Sequence, residues 1–333
     1  MIKKNFTFAV LTFNHELYVV EHLESIRFLI ESHGEAYNFR LIVADDGSRD
    51  QTIALVNRWL SVHGDLFCDV KILGDGTNNG TCFNYTRIWP LVEGELFKIT
   101  AGDDVYSCVN LFEEALQLSS HDFFSGLPLL LIDNNILESR STIFHILATE
   151  VIYKGKPFIE RLRNIGSINT PNLFCNKKFL LNKELSDFID EYSVTEDFPM
   201  LVKIAGSYKD VDFYQSRKVY VYYRRTSGST YLVRGSDFDL DKLKVFNYML
   251  SMEKGWLNRF LLKNRIYCYG LDNKVLKILL NINYFAYLLR LLLNALPVFR
   301  SVQAVKLNVE EHQAHFKLIS ERAKTFLNGR FEV

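Results

Sequence analysis

Residues 97–106 read FKITAGDDVY, and this stretch decides the fold. Leu96, Phe97 and Ile99 are the apolar, β-prone residues of a short strand that stops at Gly102 and delivers Asp103 and Asp104 into the loop beyond it. Two carboxylates a few ångströms apart repel. The pair therefore predicts either a raised pKa or a cation between them, and hard oxygen ligands select Mg2+ or Mn2+. A solvated acidic turn has the same local sequence, so the rest of the chain must separate the two readings.

Working outward toward the N-terminus, residues 6–12 are a continuous apolar run suited to a strand buried on both faces. Asn14 is placed to cap a helix in which Leu17, Val20, Leu23, Ile26 and Ile30 recur at helical spacing. Residues 39–44 (FRLIVA) repeat the strand pattern and end in the polar loop Asp45, Asp46, Gly47, Ser48, Arg49, Asp50. A helix is predicted over 52–60, a third strand over 70–73, then the loop GDGTNNG (74–80) and a helix over 82–92. Alternation of this kind predicts an α/β, Rossmann-like, mostly parallel sheet flanked by helices. Ligands of such sheets bind beyond the carboxyl ends of the strands, where all three polar loops fall.

Working outward the other way, the pattern predicts a helix over 111–118 and strands over 127–132 and 167–174. SVTEDFPMLVKIA (193–205) begins as a polar cluster and continues as a helix, while 219–223 is β-prone and ends in Arg224, Arg225, Thr226, Ser227, Gly228, Ser229. Residues 254–306 carry nine Lys/Arg against one acidic residue, Asp272. The apolar run 275–299 within them is interrupted by Arg290 and three asparagines. A spanning helix needs about 20 mainly apolar residues, so the segment suits a basic amphipathic region on an anionic membrane face better. A helical layer over the core, with solvated lysines, is the alternative.

With 333 residues, 48% of them hydrophobic, the chain has ample core and no compositional sign of disorder. Its formal net charge of zero gives no whole-molecule attraction to nucleic acid. The five cysteines (Cys68, Cys82, Cys108, Cys175, Cys268) are scattered without CxxC or Cys/His spacing, which predicts reduced thiols in the cytoplasm and no zinc site. The N-terminal apolar run is too short for a signal peptide and alternates like a strand.

The order of these motifs resembles one family. DDGS at 45–48, NNG at 78–80 with Asn84 close behind, a strand ending in Asp103-Asp104, and Glu196-Asp197 at a helix start together look like a family 2 glycosyltransferase of the GT-A fold, as used in bacterial surface-polysaccharide assembly. The match covers roughly residues 6–230. It implies a glycosyltransferase domain over 1–235, with a nucleotide-binding half (1–105) and an acceptor half (106–235), and the basic, apolar composition beyond it predicts a helical, membrane-associating C-terminal region (236–333).

The resemblance also implies roles. Thr12, Asn14, Asp45 and Asp46 would frame the nucleoside, and Asn79, Gly80 and Asn84 would approach the donor, with Asn84 nearest the sugar. Asp104 and Asp103 would hold Mn2+ or Mg2+ against the diphosphate, with Asp104 the main ligand, because Ala101 stands two before Asp103 where an aspartate is common. Asp197 would be the general base, oriented by Glu196, in a single inverting displacement. Arg224 and Arg225 would open a loop that closes over the diphosphate, with Thr226 where a histidine is often found. The implied donor is a nucleoside diphosphate sugar, UDP first, and the acceptor a glycan or lipid-linked saccharide, which the basic C-terminal segment would set at the inner face of the cytoplasmic membrane.

Three rivals share parts of the pattern. Gly74, Gly76 and Gly80 after a strand, with Glu93 and Glu95 about 20 residues on, approach a dinucleotide fingerprint, but the spacing is off by one and the motif follows the third strand. A polymerase palm also carries GDD, although this chain is short and its front half is not basic. A non-catalytic glycan-binding or scaffold protein would explain Ala101 but not the intact Glu196-Asp197 pair.

Overall fold

The computed structural model describes residues 3–226 and 235–329. Four parallel strands, β1 (Lys4–Thr12), β2 (Tyr37–Asp45), β3 (Asp69–Leu73) and β4 (Leu96–Ala101), lie in the order β3-β2-β1-β4. Side chains alternate across a strand, and both faces are apolar. Phe6, Phe8 and Val10 pack with α1 (Val19–His33) and α2 (Thr52–His63) through Val20, Leu23, Ile26, Val56 and Trp59. Ala9, Ile42, Ala44 and Phe97 face the opposite layer, including Cys82 and Tyr85 of α3 (Thr81–Thr86).

A second sheet joins β5 (Val105–Tyr106) through β11 (Val221–Arg224) to β7 (Leu129–Ile132) and β8 (Asn135–Glu138). A third joins β10 (Phe213–Gln215), β6 (Phe123–Ser125) and β9 (Leu173–Cys175). Short helices α4 (Leu111–Ala115), α5 (Arg140–Ile152), α6 (Phe158–Arg163) and α7 (Lys183–Ile189) fill the connections, and α8 (Asp197–Ser207) packs Met200, Leu201 and Ile204 under the first sheet.

The C-terminal helices belong to the same cores. Val245, Phe246 and Met249 of α9 (Asp237–Met252) and Leu262 of α10 (Trp256–Gly270) lie in the cluster that holds α8. After α11 (Lys274–Leu279), α12 (Ile282–Leu293) and α13 (Ala295–Gln303), the last helix, α14 (Val309–Asn328), returns to α1 with Ala323 and Phe326 buried. Arg58 closes the return by donating to the carbonyls of Phe326 (3.0 Å) and Gly329 (2.6 Å).

Local details differ from the expectations above. Helix α1 starts at Val19 with no side-chain cap, and Leu17 is exposed, because residues 13–18 are drawn into contacts with the β2–α2 loop. The helix predicted over 82–92 is only α3 and a separate tight turn at 89–91, and the strand predicted over 167–174 shrinks to β9. The run 275–299 is divided among three short helices, with breaks at the asparagine caps Asn281 and Asn294.

Candidate active site

A cavity of about 1060 Å³ opens at the carboxyl ends of β1 and β4 and runs beneath α8 and α9. Strand β4 ends just before Gly102, where a Cβ would lie 2.8 Å from Thr12 Cγ2, so glycine lets the acidic loop cross closely over β1. Asp46, Asp103, Asp104, Glu196 and Asp197 border the cavity together with six cations, Lys98, Arg161, Arg224, Arg225, Lys242 and Arg265. Burial holds the Glu196 carboxyl up to about 8 and the Asp104 carboxyl well above the usual range, so the cations outnumber the ionised carboxylates and the chamber favours an anion.

The adjacent aspartates of DDGS part company. Asp45 accepts from the Thr12 hydroxyl (3.0 Å) and from the Ser48 amide (2.9 Å) and hydroxyl (2.5 Å), and it does not border the cavity. Asp46 does. Its Oδ1 accepts from the amides of Asn79 (2.7 Å) and Gly80 (3.1 Å) and from Asn84 Nδ2 (2.5 Å). Asn79 and Gly80 are therefore engaged behind the cavity wall, and the glycine loop is built round Asp46. Gly80 needs its positive φ of 88° and has Ser193 O only 2.8 Å from where a Cβ would sit. Asn84 is buried on the wall with its Oδ1 unpartnered. Asn14 does not cap α1; at φ 54° its Oδ1 accepts from the Arg49 amide (2.9 Å), tying two loops at the rim.

On the next loop, Asp104 is buried and Asp103 half-buried. Burial, and then the neighbouring Asp103 charge, push the Asp104 carboxyl well above the usual carboxylate range. Asp104 accepts from the Arg224 amide at 2.8 Å, and its carbonyl accepts from His22 Nδ1 at 2.8 Å. Burial pushes His22 down to about 4, so this imidazole is neutral. His15 Nε2 lies 4.0 Å from Asp103 Oδ1. Among the described residues no group of three or more His, Cys, Asp and Glu side chains forms a metal cage. Two adjacent carboxylates without a closed cage fit Mg2+ or Mn2+ that takes its other oxygens from a ligand's phosphates, and the raised Asp104 pKa marks negative charge that such a cation would offset.

Glu196 and Asp197 stand at the start of α8. Desolvation, and then the Asp197 charge, push Glu196 up to about 8. Lys98, buried on β4 with its Nζ donating to the Ile99 carbonyl (2.9 Å), is pushed down to about 8 by burial while the Asp104 and Glu196 charges favour its protonated form. Asp241 on α9 holds the approach to the pair, because its carboxylate accepts from the amides of Ser193 (3.1 Å), Val194 (2.9 Å) and Thr195 (3.1 Å). Lys242, next to it, borders the cavity, and its charge is favoured by Asp197 against the cost of burial.

Arg224 reaches the same wall, but its fork is engaged by protein. Nε donates to the Asp103 carbonyl (2.6 Å), Nη2 to Glu21 (2.5 Å), and the guanidinium lies 4.6 Å above the Tyr18 ring. Arg225 and Thr226 border the mouth, while Ser227, Gly228 and Ser229, read as part of a closing loop, lie outside the described residues. Lys98, Asp241 and Lys242 carry no site motif in the sequence, and His15 reads there as a surface or core residue. Lys98 alone left a signal there, as a lysine inside an apolar strand.

No family model and no curated protein matches this sequence. Solved structures do match. Residues 1–349 of S. aureus TarS in complex with UDP-GlcNAc align with 96% of this chain and 92% of theirs, at 15% identity and a TM-score of 0.56. The mannosyltransferase PcManGT from Pyrobaculum calidifontis in complex with GDP-Man and Mn2+ aligns over 98% of this chain and 88% of its own, at 14% identity and a TM-score of 0.53. At such identities the likeness speaks for architecture. The parallel sheet, the acidic loops at its carboxyl edge and the helical C-terminal region together give this chain the GT-A fold of nucleotide-sugar glycosyltransferases.

Proposed function

We propose that this protein is an inverting glycosyltransferase that moves a sugar from a nucleoside diphosphate donor to a hydroxyl of a glycan or lipid-linked saccharide. The observation that carries the reading is the convergence of Asp46, Asp103-Asp104 and Glu196-Asp197, from three distant parts of the chain, on one cavity at the carboxyl edge of the sheet. The bound nucleotide sugars named for TarS and PcManGT support the same substrate class, and UDP is the first nucleoside to test.

In this reading Asp46 and the unpartnered Asn84 Oδ1 meet the donor, whereas Asp45 and Thr12 brace the loop. Asp104 and Asp103 would hold Mn2+ or Mg2+, which when bound offsets the charge gathering on the departing diphosphate. His15 orients Asp103, and Arg224 holds the backbone of the acidic loop. Arg225, at the mouth, serves the phosphates directly.

The acceptor hydroxyl enters from the α8 side. Its oxygen bonds to the anomeric carbon as the bond from that carbon to the diphosphate breaks, and the hydroxyl proton passes to a carboxylate. In this reading Asp197 is the base and Glu196 its orienting neighbour, the pair holding a proton near neutral pH because burial and the Asp197 charge push Glu196 up to about 8. Incubation with UDP-sugars and GDP-mannose in the presence of Mn2+ tests the reading through release of the nucleoside diphosphate. Asp197→Asn should abolish release while donor binding persists, and a fully active Asp197→Asn protein would contradict it.

A further inference from the structure

We propose that α10 to α13 form a docking surface for an anionic lipid bilayer and lie in the plane of its headgroups. Of the 29 large apolar side chains exposed among the described residues, 17 fall within residues 256–299, so the exposure is concentrated on four consecutive helices. Soluble proteins rarely leave so many large apolar side chains uncovered on neighbouring helices.

Helix α12 is built inside out. Ile282, Phe285, Leu288, Leu289, Leu292 and Leu293 face outward, the last two 73% and 75% exposed. Its polar residues turn inward instead. Asn283 is buried and donates to the Leu261 carbonyl (2.8 Å), Tyr287 is buried with its hydroxyl 2.9 Å from His145 Nδ1, and Arg290 reaches the Tyr153 hydroxyl (3.3 Å). A helix on a water-facing surface has the opposite arrangement. Trp256 on α10, 80% exposed, and Phe299 on α13, 57% exposed, extend the outward apolar face.

Charge decides between a bilayer and a second copy of the chain. Residues 254–306 carry nine Lys/Arg and only Asp272 as an acid, and Lys254, Lys263, Lys274 and Arg300 are exposed. Two such faces repel each other, whereas an anionic headgroup layer is complementary to either. Length decides between lying in the bilayer plane and crossing it. Among the described residues no single helix is long and apolar enough to cross, and α12 and α13 pass together only with a 78° bend between them. At twelve residues α12 spans about 18 Å, short of the ~30 Å hydrocarbon core.

The surface also bears on the cavity. Arg265 of α10 borders it while Phe260 and Tyr267 of the same helix face outward, so docking sets the cavity wall beside the headgroups. That a lipid-linked acceptor is delivered there rests on the transferase reading; the docking itself does not.

Flotation of the full chain with phosphatidylcholine vesicles, with and without phosphatidylglycerol, tests the proposal. The wild type should float with the anionic vesicles. Leu289→Glu/Leu292→Glu/Leu293→Glu should lower the bound fraction at least about tenfold, with melting temperature and nucleoside diphosphate binding unchanged. Leu318→Glu on α14, outside the patch, should float normally. The proposal is overturned if the wild type stays in the dense fraction with both vesicles, if the triple variant floats like the wild type, or if the patch instead holds a dimer that the triple variant dissociates. Flotation needs neither donor nor metal, so its failure would leave the nucleotide-binding result standing, and the reverse.

Discussion

The backbone N–H of Arg224 donates to the Asp104 carboxylate at 2.8 Å, across 120 positions of chain. The segment leaving β11 is thereby fixed to the acidic loop, and the Arg224 side chain repeats the tie through Glu21 and the Asp103 carbonyl. Arg224→Ala should cost about 3 kcal/mol, because it strands Glu21 in a largely buried pair. Urea unfolding measures this, and a loss below about 1 kcal/mol would show that the pair is not structural.

Asp241 predicts a separation of binding from turnover. Asp241→Ala removes the acceptor shared by the amides of Ser193, Val194 and Thr195, a stability cost of about 1–3 kcal/mol. It also loosens the approach to Glu196-Asp197 without touching Asp46 or Asp104. Its kcat should fall at least about tenfold while the Kd for the nucleoside diphosphate stays within about twofold. Loss of binding instead would place Asp241 in the donor site.

Asn84 predicts the converse. Asn84→Ala deletes a donor to Asp46 and the unpartnered Oδ1 on the cavity wall, so nucleoside diphosphate affinity should drop about tenfold. Isothermal titration would show it, with Asp45→Asn affecting mainly the melting temperature.

Glu196 should make the metal-free protein lose stability, relative to a Glu196→Gln variant, as pH rises from about 5 to about 8. Glu196 ionises near 4.5 when unfolded but keeps its proton to about 8 when folded, so the folded chain binds the extra proton between those values and stability falls as pH rises through them. Asp104 acts with the same sign. Buried His22 and His315, pushed down to about 4, act with the opposite sign below pH 6.5, so the readout is the difference between wild type and variant. That difference, wild type minus variant, should fall as pH rises to about 8, and melting temperatures of both proteins from pH 5 to 8 measure it. A difference that stays constant across the range would show that Glu196 does not hold the extra proton.

The sheet and its acidic loops were legible because parallel strands buried on both faces leave unbroken apolar runs, and FKITAGDD and FRLIVADD each end one. Which aspartate of a pair does what was not legible. Asp45 and Asp46 are identical in sequence terms, and only packing turns one toward Thr12 and Ser48 and the other toward Asn84. Lys98 and Asp241 were missed for a related reason. Their partners lie in remote segments, and Asp241 falls on a helix that reads as C-terminal appendage yet packs against α8. Asn283 of α12 reads as an interruption of an apolar run, yet it lies on the inward face of that helix.

The central claim is that the acidic loop binds a nucleoside diphosphate through a divalent cation. Calorimetric titration of UDP, GDP, dTDP and NAD, each with and without Mn2+, on the wild type and on Asp104→Asn tests it most directly; asparagine retains an acceptor for the Arg224 amide. The account predicts manganese-dependent binding of one nucleoside diphosphate, weakened at least about tenfold in the variant, and no response to NAD. Binding of NAD without metal, or no binding of any nucleoside diphosphate by the wild type, would contradict it.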